Sequence, residues 1–133
     1  FLTEMLDHLY EIDLLPNPKP ILKKLLERES LGTTSIGKNA AVPHTKIKEI
    51  NKPVVAVGLS RKGFLYHISD KEKVHLVILI LSPNDSPILH LQILAAAASF
   101  IKKVDNIPGS LNDIGTPHDL VQLIRNTENQ DDD

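Results

Sequence analysis

Apolar residues recur at helical spacing over the first ten positions. Leu2, Met5, Leu6 and Leu9 share one face, with Thr3, Glu4 and Asp7 on the other, which predicts an amphipathic helix. The connection IDLLPNPKP breaks the pattern. Asn17 then offers an N-cap with Pro18 at the first helical position, where a missing N–H costs nothing. The helix begun there carries Ile21, Leu22, Leu25 and Leu26 and ends near Glu29. Residues 31–38, LGTTSIGK, are small, hydroxyl-rich and glycine-containing, and are predicted to form a loop.

Short apolar runs follow at Ala40–Pro43 and Val54–Leu59, and a continuous one, VHLVILIL, at Val74–Leu81. A continuous β-branched run marks a strand covered on both faces, which places helices on both sides of a sheet. Ser82 to Ser86 reads as a turn ending in an N-cap, with Pro87 opening the next helix. That helix, to about Lys103, is apolar nearly all round and is expected to be well buried. A last helix starts at Thr116, where Pro117 and Asp119 complete a near capping box, and its inner face holds Leu120, Val121, Leu123 and Ile124. The predicted class is α/β, a single domain over residues 1–125. An acidic tail at 126–133, without apolar residues, is expected to be disordered.

Composition then narrows the chemistry. The 133 residues include six His and no Cys, with a net charge of −2. Zero cysteines exclude disulfides, thiolate metal sites and a cysteine nucleophile. The charge balance gives no cationic field for a nucleic-acid backbone, and 4% aromatics offer no base-stacking platform. No apolar run nears the roughly 20 residues that span a bilayer. The opening FLTEMLDHLY has no basic n-region, so no signal peptide is expected, and the missing initiator Met suggests further residues upstream. A cytoplasmic location is the expectation.

Histidine becomes the natural suspect. No H-E-x-x-H spacing points to a metal, and no G-x-S-x-G elbow to a serine nucleophile. His8, His67 and His118 read as surface or loop residues, and His75, inside the buried strand, as a hydrogen-bonded structural one. His44 and His90 differ by context. Pro43 makes Val42 extended and presents His44 at a strand end, where α/β sheets build sites. His90 falls about a turn past the Ser86 cap, where a helix N-terminus favours a neutral imidazole and a bound anion. Arg28 closes its helix just before the glycine loop. Its guanidinium either rests in solvent or clamps an anion there, and Thr33, Thr34 and Ser35 either shape the loop or donate to the same anion. Residue by residue, structural roles stay open for all of these.

The stretch LLERESLGTTSIGKNAAVPHTK resembles the active-site signature of the mannitol/fructose-type enzyme IIA domain of the bacterial phosphoenolpyruvate-dependent phosphotransferase system. An R-E, a hydroxyl-rich segment, an I-G and an apolar run ending P-H stand at uninterrupted spacing. Further on, KPVVAVGLSRKG, VHLVILILSP and HLQILAAAASFI resemble the family's later strands and its H-L-x-x-L-A helix. The likeness runs from about Leu25 to Ile124. It implies a three-layer α/β/α domain with a mixed central sheet and no cofactor or metal. It implies His44 as the phosphorylated nucleophile, His90 as the second active-site histidine, and Arg28 beside them. The implied partners are the phosphocarrier protein HPr as donor and a IIB domain as acceptor. In a nitrogen-regulatory branch, phosphorylation of the same histidine instead controls docking to target proteins. Thr45 stands where many relatives have Gly or Ala, and GFLYHISDKEK replaces a common family turn, leaving His67 without an inherited role.

Overall fold

A computed structural model describes residues 1–67, 70–104, 106–112 and 114–129. Two helices, α1 (Leu2–Glu11) and α2 (Pro18–Ser30), precede five strands and three further helices. The strands are β1 (Ser35–Gly37), β2 (Ala40–Ala41), β3 (His44–Ile47), β4 (Val54–Phe64) and β5 (Val74–Pro83). The later helices are α3 (Pro87–Lys103), α4 (Ile107–Leu111) and α5 (Pro117–Asn129).

β5 organises the sheet. β2 and β3 run parallel to it along one edge, with Ala41 opposite Val77 and His44 opposite Ile80. β4 lies antiparallel on the other edge, from Val54 opposite Leu81 to Phe64 opposite Val74, and β1 flanks β2. The sheet is therefore mixed. The continuous apolar run in β5 is explained by its two faces. Leu76, Ile78 and Ile80 enter one core with Ala97, Ile101, Ile107 and Leu111, while Leu79 and Leu81 enter another with Leu6, Leu9, Ile21 and Leu25. Each such side chain removed from water contributes about 1.5–3 kcal/mol. Both faces are helix-covered, and the domain is a three-layer α/β/α fold.

Local signals act as their chemistry requires. The Asn17 side chain accepts from Lys19 N–H at 3.1 Å and caps α2. Thr116 Oγ1 accepts from Asp119 N–H at 3.2 Å, and Asp119 Oδ2 accepts in return from Gly115 and Thr116 N–H at 3.0 and 3.2 Å. These backbone donors hold the Asp119 carboxyl below its usual range.

Four expectations are corrected. Part of the 31–38 loop, Ser35–Gly37, pairs with β2 as a short strand, because an edge strand needs only one partner. The Ser82–Ser86 turn is shorter than predicted, since Ser82 and Pro83 still belong to β5; Ser86 is the N-cap residue, but its hydroxyl makes no cap bond. α3 is not buried all round: Ile88 and Leu91 are 73% and 64% exposed, since only one side of its first turns meets the sheet. α5 continues to Asn129, past the expected boundary at 125, because Asn126, Thr127 and Glu128 contain no helix breaker. Residues 130–133 of the expected tail lie outside the described residues. α4, capped by Asn106 accepting from Gly109 N–H at 3.1 Å, was not anticipated.

Candidate active site

Pro43 divides the edge strand that runs along β5. It has no N–H for the ladder and holds Val42 extended, so pairing lapses between β2 and β3. Val42 N–H turns to Thr34 O at 3.0 Å, and the Pro43 carbonyl accepts from Ile80 N–H at 3.0 Å. The Val42 carbonyl meets His44 Nδ1 at 2.7 Å. A carbonyl only accepts, so His44 Nδ1 carries the proton. In the neutral ring Nε2 is then the nitrogen with the lone pair.

His90 comes from the first turns of α3, its N–H bonded to Ser86 O at 3.0 Å. It is 7% exposed, and its ring centroid lies 5.6 Å from that of His44, the planes tilted by 47°. Burial lowers its pKa from the ordinary value, and His44 and Lys46 lower it further. Lys46 follows His44 by two along β3, hence on the same face, and sits opposite Ser82 in the register. His90 Nδ1 lies 2.7 Å from Ser82 Oγ.

Arg28 reaches the site from the end of α2. With Thr33, Thr34, Ile36, Val42, His44, Leu94 and Ala98 it lines a cleft of about 280 Å³. Its Nη1 donates to Gly32 O at 3.1 Å, which folds the guanidinium over the start of the loop. The three loop hydroxyls are not equivalent. Thr33 lines the cleft, and its Oγ1 accepts from Ser35 N–H at 3.0 Å. Ser35 opens instead, with Thr33, on a neighbouring cavity of about 330 Å³. Thr34 is buried, and both its donors go to Glu29: its N–H to Oε2 at 3.1 Å and its hydroxyl to Oε1.

Glu29 was not singled out from the sequence beyond its place in the R-E pair. It also accepts from Tyr66 O–H at 2.8 Å. Burial pushes the Tyr66 phenol well above its usual range, and the Glu29 carboxylate adds to this. Three donors on one carboxylate thus pin the loop to α2 and to the end of β4. Ser82 and Lys46 were missed as well, since the fold of the β5–α3 turn brings Ser82 to His90 and the β3–β5 register brings Lys46 beside Ser82. Among the described residues no cluster of three or more His, Cys, Asp or Glu is arranged to hold a metal ion, and no helix is long and apolar enough to cross a membrane.

An α/β/α domain that lines a cleft with an imidazole and a guanidinium, and sets a second imidazole with its ring centroid 5.6 Å from the first, is equipped to handle an anion, with one ring nitrogen available as a nucleophile. The chain belongs to the family described as "Phosphoenolpyruvate-dependent sugar phosphotransferase system, EIIA 2", whose profile matches residues 1–127. The family is one of phosphoryl carriers. The chain is 28% identical over 102 residues to the PTS system fructose-specific EIIABC component of Bacillus subtilis, covering 77% of this chain and 16% of that protein. It is 32% identical over 89 residues to a nitrogen regulatory protein of Bradyrhizobium diazoefficiens, covering 67% and 58%. It is 36% identical over 84 residues to the PTS system fructose-specific EIIA component of Haloferax volcanii, covering 63% and 54%. The chain therefore spans less than two thirds of the length of each of these relatives. The fold is shared with IIA mannitol from Escherichia coli (TM-score 0.68, 21% identity, 90% of this chain and 82% of that one). It is also shared with nitrogen regulatory protein IIA-Ntr from Neisseria meningitidis (TM-score 0.67, 24% identity, 75% and 68%).

Proposed function

We propose that His44 accepts a phosphoryl group on Nε2 from an HPr-like phosphohistidine protein and passes it to a IIB domain serving sugar uptake. The observation that carries this reading is the 2.7 Å bond from His44 Nδ1 to Val42 O, which makes Nε2 the unprotonated nitrogen. Its lone pair forms the new N–P bond while the donor's N–P bond breaks, and that electron pair returns to the donor's imidazole. No proton has to leave His44. The positive charge that develops on its ring is met by the Val42 carbonyl through Nδ1–H.

The transition state for such transfer is loose, with charge spread over three oxygens, so catalysis is mostly positioning and electrostatics. Arg28 and Thr33 line the cleft, His90 stands beside His44, and all three are assigned to those oxygens. Thr34 and Ser35, first considered as phosphate ligands, act in this reading by holding the loop. Exposed Leu31, Ile36, Ile88 and Leu91 stand on the loop and helix that carry the site, which favours protein partners over a small-molecule donor. The chain through the end of α5 at Asn129 forms one such carrier domain, working in the cytoplasm.

A second reading is favoured by relatives whose names are "Nitrogen regulatory protein". In it, phosphorylation of His44 controls docking to target proteins without sugar transport. Incubation with phosphoenolpyruvate, enzyme I and HPr tests the chemistry common to both. An acid-labile, base-stable phosphate is expected on the wild-type chain and none on His44→Ala. Labelling that survives without His44 overturns the assignment. Onward transfer to a IIB domain then separates the sugar relay from the regulatory reading.

A further inference from the structure

We infer that Ser82 is a positioning residue that fixes His90 as the Nε2–H tautomer, opposite to that of His44. Ser82 stands near the end of β5 and is fully buried. Its hydroxyl lies 2.7 Å from His90 Nδ1 and, among the described residues, has no other hydrogen-bond partner, side chain or backbone. The direction of this bond follows from that isolation. If His90 Nδ1–H donated to Ser82, the serine proton would be buried without an acceptor, which is costly. If Ser82 donates, every group is satisfied: the serine proton rests on the Nδ1 lone pair, and the ring proton is on Nε2.

The two active-site rings are thereby set in complementary states. A carbonyl, which only accepts, puts the His44 proton on Nδ1 and bares Nε2. A hydroxyl with nowhere else to donate bares Nδ1 of His90 and puts its proton on Nε2. The pair, with ring centroids 5.6 Å apart, offers one lone pair for attack and one N–H for a phosphoryl oxygen. A doubly protonated His90 would also need to turn a proton toward Ser82 and strand the serine hydroxyl. This opposes the imidazolium in the same direction as burial and as the two basic groups facing the ring, His44 and Lys46. His90 is held neutral as a donor rather than recruited as a cation, and the cations in this arrangement are Arg28 and Lys46.

The catalytic half of the inference rests on His44 being the phosphoryl acceptor, whereas the tautomer does not. Ring nitrogens of the uniformly ¹⁵N-labelled chain, read by long-range ¹H–¹⁵N correlation above the imidazole titration range, test the tautomer without any phosphate present. The expected pattern is a protonated Nε2 and bare Nδ1 for His90, and the reverse for His44. A protonated His90 Nδ1 in the wild-type chain overturns the inference. In Ser82→Ala, with the backbone amide spectrum as a check on folding, His90 is expected to become a mixture of tautomers. Its kcat for onward transfer should fall by at least about tenfold, as when the partner orienting a working imidazole is removed, with KM for the protein partner unchanged. Ser82→Thr, which keeps the hydroxyl, should restore both readouts. A folded Ser82→Ala chain that keeps the wild-type tautomer or transfers at the wild-type rate also overturns it. Failure of the wild-type chain to label would instead strike the phosphoryl-acceptor reading and leave the tautomer standing on its own measurement.

Discussion

Two histidines in this domain make nearly the same hydrogen bond. His44 Nδ1 meets Val42 O at 2.7 Å, and His75 Nδ1 meets Ser60 O at 2.8 Å. In each ring a backbone carbonyl therefore fixes the proton on Nδ1 and leaves Nε2 with the lone pair. The difference lies at that second nitrogen. His44 lines an open cleft and faces His90. His75 is pressed against Gly63, where an added Cβ would lie 2.7 Å from its Nε2. Gly63 sits in the irregular stretch of β4 between Leu59 and Phe64, with its N–H bonded to Ser60 Oγ at 3.1 Å. His75 thus clamps a bulge. A tautomer-setting bond is shared by a candidate nucleophile and a structural brace, and only the access of the free nitrogen tells them apart.

The strongest way to break the comparison is to remove each ring in turn. His44→Ala is expected to lose phosphate labelling entirely. His75→Ala, wherever circular dichroism shows a folded chain, should label at a rate near wild type. Labelling lost from a folded His75→Ala would mean that the two sites are not distinct. Next in size is His90→Ala. Losing one positioned hydrogen-bond donor from a phosphoryl site should slow onward transfer by about 10²-fold while leaving some labelling of His44. Single-turnover transfer to a IIB domain measures this, and a wild-type rate would remove His90 from the site.

A smaller effect probes the brace from its other side. Gly63 has φ +72°, a backbone conformation that costs a side-chain-bearing residue about 1–3 kcal/mol, and an added methyl would also meet the His75 ring. Gly63→Ala should lower the urea midpoint correspondingly without changing the labelling rate of the folded fraction. An unchanged midpoint would show that the bulge does not depend on this contact.

How much of this was legible in the sequence differs between the two sites. The run from Val74 to Leu81 announced a strand covered on both faces because alternate residues feed separate cores, and that pattern survives without knowledge of the partners. The Asn17 and Thr116 caps were legible because their bonds span only two or three residues. His75 was correctly read as hydrogen-bonded from its place in a buried strand. The candidate pair was accessible as two suspects, His44 by its Pro and His90 by its helix start, but their approach depends on the parallel β3–β5 pairing. Glu29 and Tyr66 are 37 residues apart along the chain, and Ser82 bonds His90 across the β5–α3 turn. Such contacts exist only once the sheet has closed. The exposure of Ile88 and Leu91 was misjudged for a related reason: composition says how apolar a helix is, but not how far the sheet beneath it extends.

The least effect expected is one of acidity, and it separates His90 from a freely titrating imidazole. Burial, with His44 and Lys46 nearby, lowers its folded pKa below the ordinary value of about 6.5. Above that value the ring is neutral in both folded and unfolded chains, so it adds no pH dependence. As the pH falls from about 6.5 toward the lower folded value, the unfolded chain takes up a proton that the folded chain refuses, and stability declines. Below the folded value both states are protonated and the decline stops. His90→Gln removes this contribution while keeping a polar side chain. Urea midpoints measured between about pH 5 and 8 should therefore fall less steeply on the acid side for the variant than for the wild type. Parallel curves would mean that His90 takes its proton as readily in the folded domain as in the open chain, and an ordinary imidazole would then stand beside His44.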